Sequence, residues 1–276
     1  MKRKIMVMIF IACAVIISQC AKETDEDAIM DIIAMDTMWF NSNTEVDSTS
    51  NSLLLQDTVA IWWRGAQTHS EPIIEIQILE DSAWVSWSRD NYGHFYSLAK
   101  IDTFPWVLWD KNLDETAELR ATFLRTGDES AEHRGWELNS ISLAYGESNT
   151  VNTVRIDSVC INSTNYQDLM ITDPLETFFD LDSLITFPAG QAVTLTLYTN
   201  VEDGHAFLHT FILAWPYYVR LPFMNMGDGV YEGTWNAQLV ALPRFAIFDL
   251  IPHSTIYTET GPYDFNGWLL PYMISN

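Results

Sequence analysis

From about residue 58 onward, apolar residues in this chain alternate with polar ones, and a period of two commits most of its length to strands. "IIEIQIL" sets Ile74, Ile76 and Ile78 against Glu75 and Gln77, and "AELRATFLR" puts Ala117, Leu119, Ala121 and Phe123 on one face. "SAWVSWS" and "HFYSL" flank Asp90-Asn91-Tyr92-Gly93, which predicts a hairpin loop. The polar run from Thr126 to Glu132 predicts a turn, after which Trp136, Leu138 and Ser140 alternate with Glu137 and Asn139. Only "DEDAIMDIIAMDTMWF" follows another rhythm. Acids crowd its first turn, where a helix dipole favours them, and Ala28, Ile32, Met35 and Trp39 recur at helical spacing. The stretch from Asn41 to Ser52 is polar and predicts a loop.

One helix followed by antiparallel strands predicts an α+β domain over residues 28–145. The order resembles that of NTF2-like and cystatin-like domains, carried by "IEIQILEDSAWVSW" and by the paired "ELRATFLRTGDES" and "HRGWELNSIS". The resemblance implies a pocket between helix and sheet and brings no fixed catalytic residues. Tyr145 to Asn152 is polar and turn-forming, which predicts a domain boundary. Beyond it come short strands with turn signals: "TVRIDSVCINS", "QAVTLTLYTN" with Val193, Leu195 and Leu197 alternating, "HAFLHTFIL", "GVYEGTW", "AIFDL" and "WLLPY". This predicts an all-β sandwich over residues 151–276. The segment resembles an immunoglobulin-like domain of bacterial surface proteins, without the Cys…Trp…Cys signature, because Cys160 stands alone.

The N-terminus predicts export. Lys2, Arg3 and Lys4 precede thirteen mostly apolar residues, Ile5 to Ile17, and small or polar residues follow. That run is shorter than the roughly 20 residues needed to cross a bilayer. Ile17-Ser18-Gln19-Cys20 resembles the lipobox of bacterial lipoproteins, with Gln19 where the family has Gly, Ala or Ser. The resemblance implies a signal peptide of residues 1–19, lipid on Cys20 and a tether over residues 20–27. It places the protein at the outer membrane or cell surface, with the membrane as partner through the lipid. The alternative is ordinary cleavage near Ser18–Ala21, giving a soluble periplasmic or secreted protein. Two cysteines, Cys20 and Cys160, would then remain, which is no disulfide framework.

The formal charge is −23, and removing residues 1–19 takes away three cations and no acid, giving −26. A field of that sign repels phosphate, so no nucleic-acid partner is expected. His205 and His209 have the i, i+4 spacing of a helical zinc pair, but on a strand they stand roughly 13 Å apart and cannot share one metal. Asp173, Glu176, Asp180 and Asp182 lack the spacing of a calcium loop and read as a solvated segment. "MGDGVYEG" reads as a hairpin turn, and Cys160 as a small strand residue. No catalytic residue, metal site or cofactor is expected.

Six tryptophans, Trp62, Trp63, Trp84, Trp87, Trp106 and Trp109, fall within 48 residues. Core packing accounts for most of them. Trp106 and Trp109, following Pro105, are the expected exposed pair and the ligand-binding candidates, with an envelope protein or polysaccharide as partner. These features predict a non-enzymatic envelope protein with a binding or structural role. Two rivals stand beside it: a carbohydrate-binding surface protein, and a small-molecule binder or enzyme in which Arg64, His69 and His94 would supply polar groups to an NTF2-like pocket.

Overall fold

The computed structural model describes residues 23–36, 38–40, 60–100, 106–211, 218–237 and 243–275. Its first element is the helix α1 (Asp25–Met35), and the strands are β1 (Ala60–Arg64), β2 (Thr68–His69), β3 (Ile73–Leu79), β4 (Ser82–Lys100), β5 (Trp106–Arg125), β6 (Trp136–Ser142) and β7 (Ala144–Ser148). They continue with β8 (Ile156–Asn162), β9 (Leu169–Ile171), β10 (Phe178–Asp180), β11 (Ile185–Pro188), β12 (Ala192–Thr199) and β13 (Gly204–Phe211). Then come β14 (Tyr218–Pro222), β15 (Met224–Gly227), β16 (Val230–Asn236), β17 (Pro243–Pro252), the one-turn helix α2 (His253–Tyr257) and β18 (Asn266–Ser275).

Strand makes up 61% of the described residues and helix 11%, which overturns the α+β class expected for residues 28–145. The physical reason is that the strands of that region do not close into a separate layer under a helix. They belong to a 13-stranded sheet ordered β1-β4-β5-β7-β18-β17-β13-β14, with β2, β3, β6, β10 and β11 paired off that path. Within the polar stretch from Tyr145 to Asn152, Tyr145–Ser148 belong to β7, whose Ala144–Ser148 ladder joins β5 on one side and β18 on the other.

Helix α1 begins where Thr24 caps it: Asp27 N–H donates to the Thr24 hydroxyl at 3.1 Å, and Thr24 N–H to the Asp27 carboxylate at 2.9 Å. It ends earlier than its periodicity predicts, because the Asp36 carboxylate collects the backbone N–H groups of Met38, Trp39 and Phe40. The face it buries is Ala28, Ile29 and Ile33, against Val85, Ala121, Phe123 and Trp136, while Met35 is exposed.

The hairpin predicted at Asp90–Gly93 is not formed. β4 passes straight through those residues, paired with β5 from Ser82↔Leu124 to Lys100↔Trp106. The polar string imitates a turn because Asn91 is an inward-facing residue, fully buried opposite Glu115. On β5 the period of two holds throughout, and Leu113, Glu115, Ala117, Leu119, Ala121 and Phe123 all lie on the buried face.

A second, five-stranded sheet, β15-β16-β12-β8-β9, packs against one face of β11, β13, β17 and β18. Val159, Ile161, Val193, Leu195 and Leu197 meet Phe187, Phe248, Trp268, Leu270 and Tyr272 there in one apolar core. The chain is therefore mostly β, with sheets packed face to face. The opposite face of the large sheet is curled. Trp62 on β1 lies 5.3 Å from the Phe207 ring on β13, and the Arg220 guanidinium on β14 sits 3.5 Å from the Trp62 ring and donates to its carbonyl at 3.1 Å. The first strand of the sheet thus meets the last, enclosing a lumen.

Candidate functional site

Parity decides which residues enter the lumen. Trp62 and Arg64 on β1, Asn91 and Phe95 on β4, Leu113 and Glu115 on β5, Phe207 and His209 on β13, and Asp249 and Ile251 on β17 share its face. Tyr263 and Phe265 enter from the segment before β18. Half of these side chains are apolar, and a chain of polar groups runs through them.

Arg64 is its hub. Its two terminal nitrogens donate to the two carboxylate oxygens of Asp249 at 2.9 and 3.0 Å, and its Nε donates to the Tyr263 hydroxyl at 2.9 Å. Tyr263 in turn donates to Glu115 Oε2 at 2.9 Å. Asn91 Nδ2 lies 3.4 Å from Glu115 Oε1, and its Oδ1 lies 2.8 Å from His69 Nδ1. His209 Nε2 lies 2.9 Å from Asp249 Oδ2. Because a carboxylate only accepts, His209 carries its proton on Nε2, and because Asn91 spends its N–H₂ on Glu115, His69 donates from Nδ1. The guanidinium also lies 4.6 Å from the Phe265 ring.

Burial sets the charges. It would push the Asp249 carboxyl up, but the Arg64 charge and the His209 hydrogen bond outweigh it and hold that carboxyl well below the usual range. For Glu115, burial prevails over Arg64 and Tyr263, so its carboxyl is raised. Burial likewise raises the Tyr263 hydroxyl well above its ordinary value. The arrangement is one firm ion pair, Arg64 with Asp249, and a neighbouring acid that resists ionisation.

A raised carboxyl contributes stability that is present at low pH and lost as pH climbs through its folded value. Glu115→Gln is therefore expected to remain within about 1 kcal/mol of the parent at pH 8. It should also remove part of the parent's loss of stability between pH 4.5 and 8. Thermal melts of both proteins across that range check this, and an unchanged pH slope in the variant would count against a raised Glu115.

Above this network, α2 covers one end of the lumen. Ser97 Oγ donates to the Ile256 carbonyl at 2.6 Å and Lys111 Nζ to the Ser254 carbonyl at 2.9 Å. These bonds satisfy carbonyls of a helix too short to satisfy its own. Burial brings the Lys111 ammonium down to about 8.

Of the polar residues named from sequence, Arg64 and His69 come into one network, whereas His94 pairs with Asp110 on the outside at 2.7 Å. Trp106 is 39% exposed, but Trp109 is 4% exposed inside the lumen, so the expected exposed pair is divided. Three residues apart on a strand, they face opposite ways. Exposed Leu108 and the stacked pair Trp63 and Tyr96 share the outer face with Trp106. His209 joins Asp249, and His205 does not join that network. In the acidic segment, Glu176 pairs with Arg120 and Asp173 accepts from Glu176 N–H at 3.2 Å. Asp228 sits in the hairpin turn between β15 and β16, and Cys160 is buried on β8. Cys20 lies outside the described residues.

Glu115, Tyr263 and Asp249 were not singled out by sequence. The signal for the acids is parity: Glu115 stands between inward Leu113 and Ala117, and Asp249 between inward Ile247 and Ile251. Among the described residues, no helix is long and apolar enough to cross a membrane. The chain matches no family model, no curated protein and no solved structure.

Proposed function

We propose that this chain is an exported, lipid-anchored envelope protein whose β body serves a binding or structural role. The observation that supports a structural body is the lumen network. Arg64, Asp249, Tyr263 and Glu115 are strongly buried and satisfy one another, so they fasten β1, β5, β17 and the segment before β18 together. The anchor rests on the lipobox-like Ile17-Ser18-Gln19-Cys20. Two acyl chains give stable membrane attachment where one gives marginal binding. The helix cap at Thr24 lies four residues beyond Cys20, and Asp25 is ion-paired to Arg125 and Arg134, so a lipid on Cys20 would hold the folded body close to the bilayer. The exposed Trp106, Leu108 and Trp63–Tyr96 face is where an envelope protein or polysaccharide would meet it.

Expressed in a Gram-negative host, the parent is expected in the membrane fraction, and Ala21 after the cysteine favours the outer membrane. Cys20→Ser should shift it to the soluble periplasm and abolish the lipid mass on its N-terminal peptide. Equal fractionation of the two proteins, with no lipid on the parent, would overturn the reading.

A further inference from the structure

Away from the lumen network, where β13 begins, a pocket of about 840 Å³ including its open mouth is lined by residues of β13, β15 and β16 and by His253. Phe207 and Phe223 form apolar walls, and His205, His253 and Met224 also line it. His205 Nε2 is buried there with no hydrogen-bond partner. A buried polar atom without a partner is costly, and beside a second imidazole it has the disposition of a metal-ligand nitrogen.

We propose that His205 and His253, joined by the Met224 thioether, form a binding site for Cu(I). The two imidazole centroids are 5.9 Å apart, with planes 27° from parallel. With metal–nitrogen bonds of about 2 Å and a ring nitrogen roughly 1.1 Å from its centroid, two imidazoles on one ion have centroids at most about 6.2 Å apart. The observed separation lies inside that limit. Tyr257 stacks on His253 at 4.4 Å and lies tilted against His205 at 5.5 Å, in contact with both rings. Met224 lines the same pocket and is 69% exposed.

The donor set selects the ion. Two imidazoles and a thioether bring no negative charge of their own, and Asp203 also lines the pocket. Among the described residues, no group of three or more His, Cys, Asp or Glu is placed to hold a metal, so a four-coordinate zinc site is not provided. A soft monovalent ion content with two or three neutral ligands fits this set, and thioether sulfur favours Cu(I). The strongly negative net charge draws cations toward the surface. His205 was set aside as a ligand with His209 because a strand holds those rings apart. Its partner comes instead from α2, 48 residues further on.

The test uses the full chain under anaerobic, reducing conditions, with Cu(I) titrated against a chromophoric chelator. One equivalent should be taken up. His253→Ala, at an exposed position, should weaken uptake by at least about tenfold, the scale on which even outer-shell losses weaken metal sites. Met224→Leu should weaken it by a smaller factor, and Cys160→Ser should leave it unchanged. X-ray absorption on the parent should show a first shell of nitrogen with one sulfur. Thermal melts confirm that each variant is folded. Absence of uptake, equal uptake by folded His253→Ala, an all-sulfur shell, or preference for Zn²⁺ over Cu(I) would each overturn the assignment.

Discussion

Arg64→Met is expected to destabilise the fold by about 3–5 kcal/mol, the cost of leaving one half of a buried ion pair behind. Asp249 is 1% exposed and receives both terminal nitrogens of Arg64. Without that cation it must either remain charged in an apolar lumen or take up a proton, and both are unfavourable. Tyr263 would lose the Nε donor as well. Adding Asp249→Leu to Arg64→Met should recover much of the loss, because a buried pair replaced by apolar side chains is often neutral or stabilising. Urea unfolding of the parent, the single variant and the double variant separates these cases. If Arg64→Met unfolds within about 1 kcal/mol of the parent, the network is not what holds the curled sheet closed.

The same residues show what could be read from the sequence. Strand faces were legible: the inward set on β5 and the alternation on β3 and β12 follow from the period of two. Partners were not, because parity states which way a side chain points and nothing about the strand beside it. The pairing of β7 with β18 joins residues about 120 positions apart, and no local pattern encodes it. Polar residues at inward positions caused the clearest failures. Asn91 made a continuous strand look like a turn, and Asp249 passed as an ordinary acid in an apolar run. Arg64 and His69 were named as polar groups for a helix-and-sheet pocket. They do converge, but inside a β lumen, on partners supplied by strands remote in sequence. The tryptophan cluster divided by the same rule, with Trp62 and Trp109 inside and Trp84 and Trp106 outside.

Gly135→Ala should be the second large loss, at roughly 2–5 kcal/mol from left-handed backbone strain and steric overlap together. Gly135 has φ +77°, and a Cβ added there would lie 2.4 Å from both the carbonyl carbon and the carbonyl oxygen of Gly127. The two glycines bring their backbones together, and Gly135 O accepts from Thr126 N–H at 2.8 Å. His133 and Arg134 just before it also have positive φ, so the turn from β5 to β6 is left-handed over three residues. That turn aims Arg134 at Asp25 in the first turn of α1, 2.8 Å away, and sets Trp136 beneath the Arg125 guanidinium at 4.6 Å. Displacing it should loosen α1 along with the hairpin, which faster hydrogen exchange over Asp25–Met35 would register. Gly227→Ala separates the two causes, since Gly227 has φ +91° with nothing within 4 Å of an added Cβ, so only conformational strain remains. Side-by-side urea unfolding should rank Gly135→Ala well below Gly227→Ala. Equal losses would mean that the Gly127–Gly135 approach has slack, and that α1 is held by its apolar face and not by this turn.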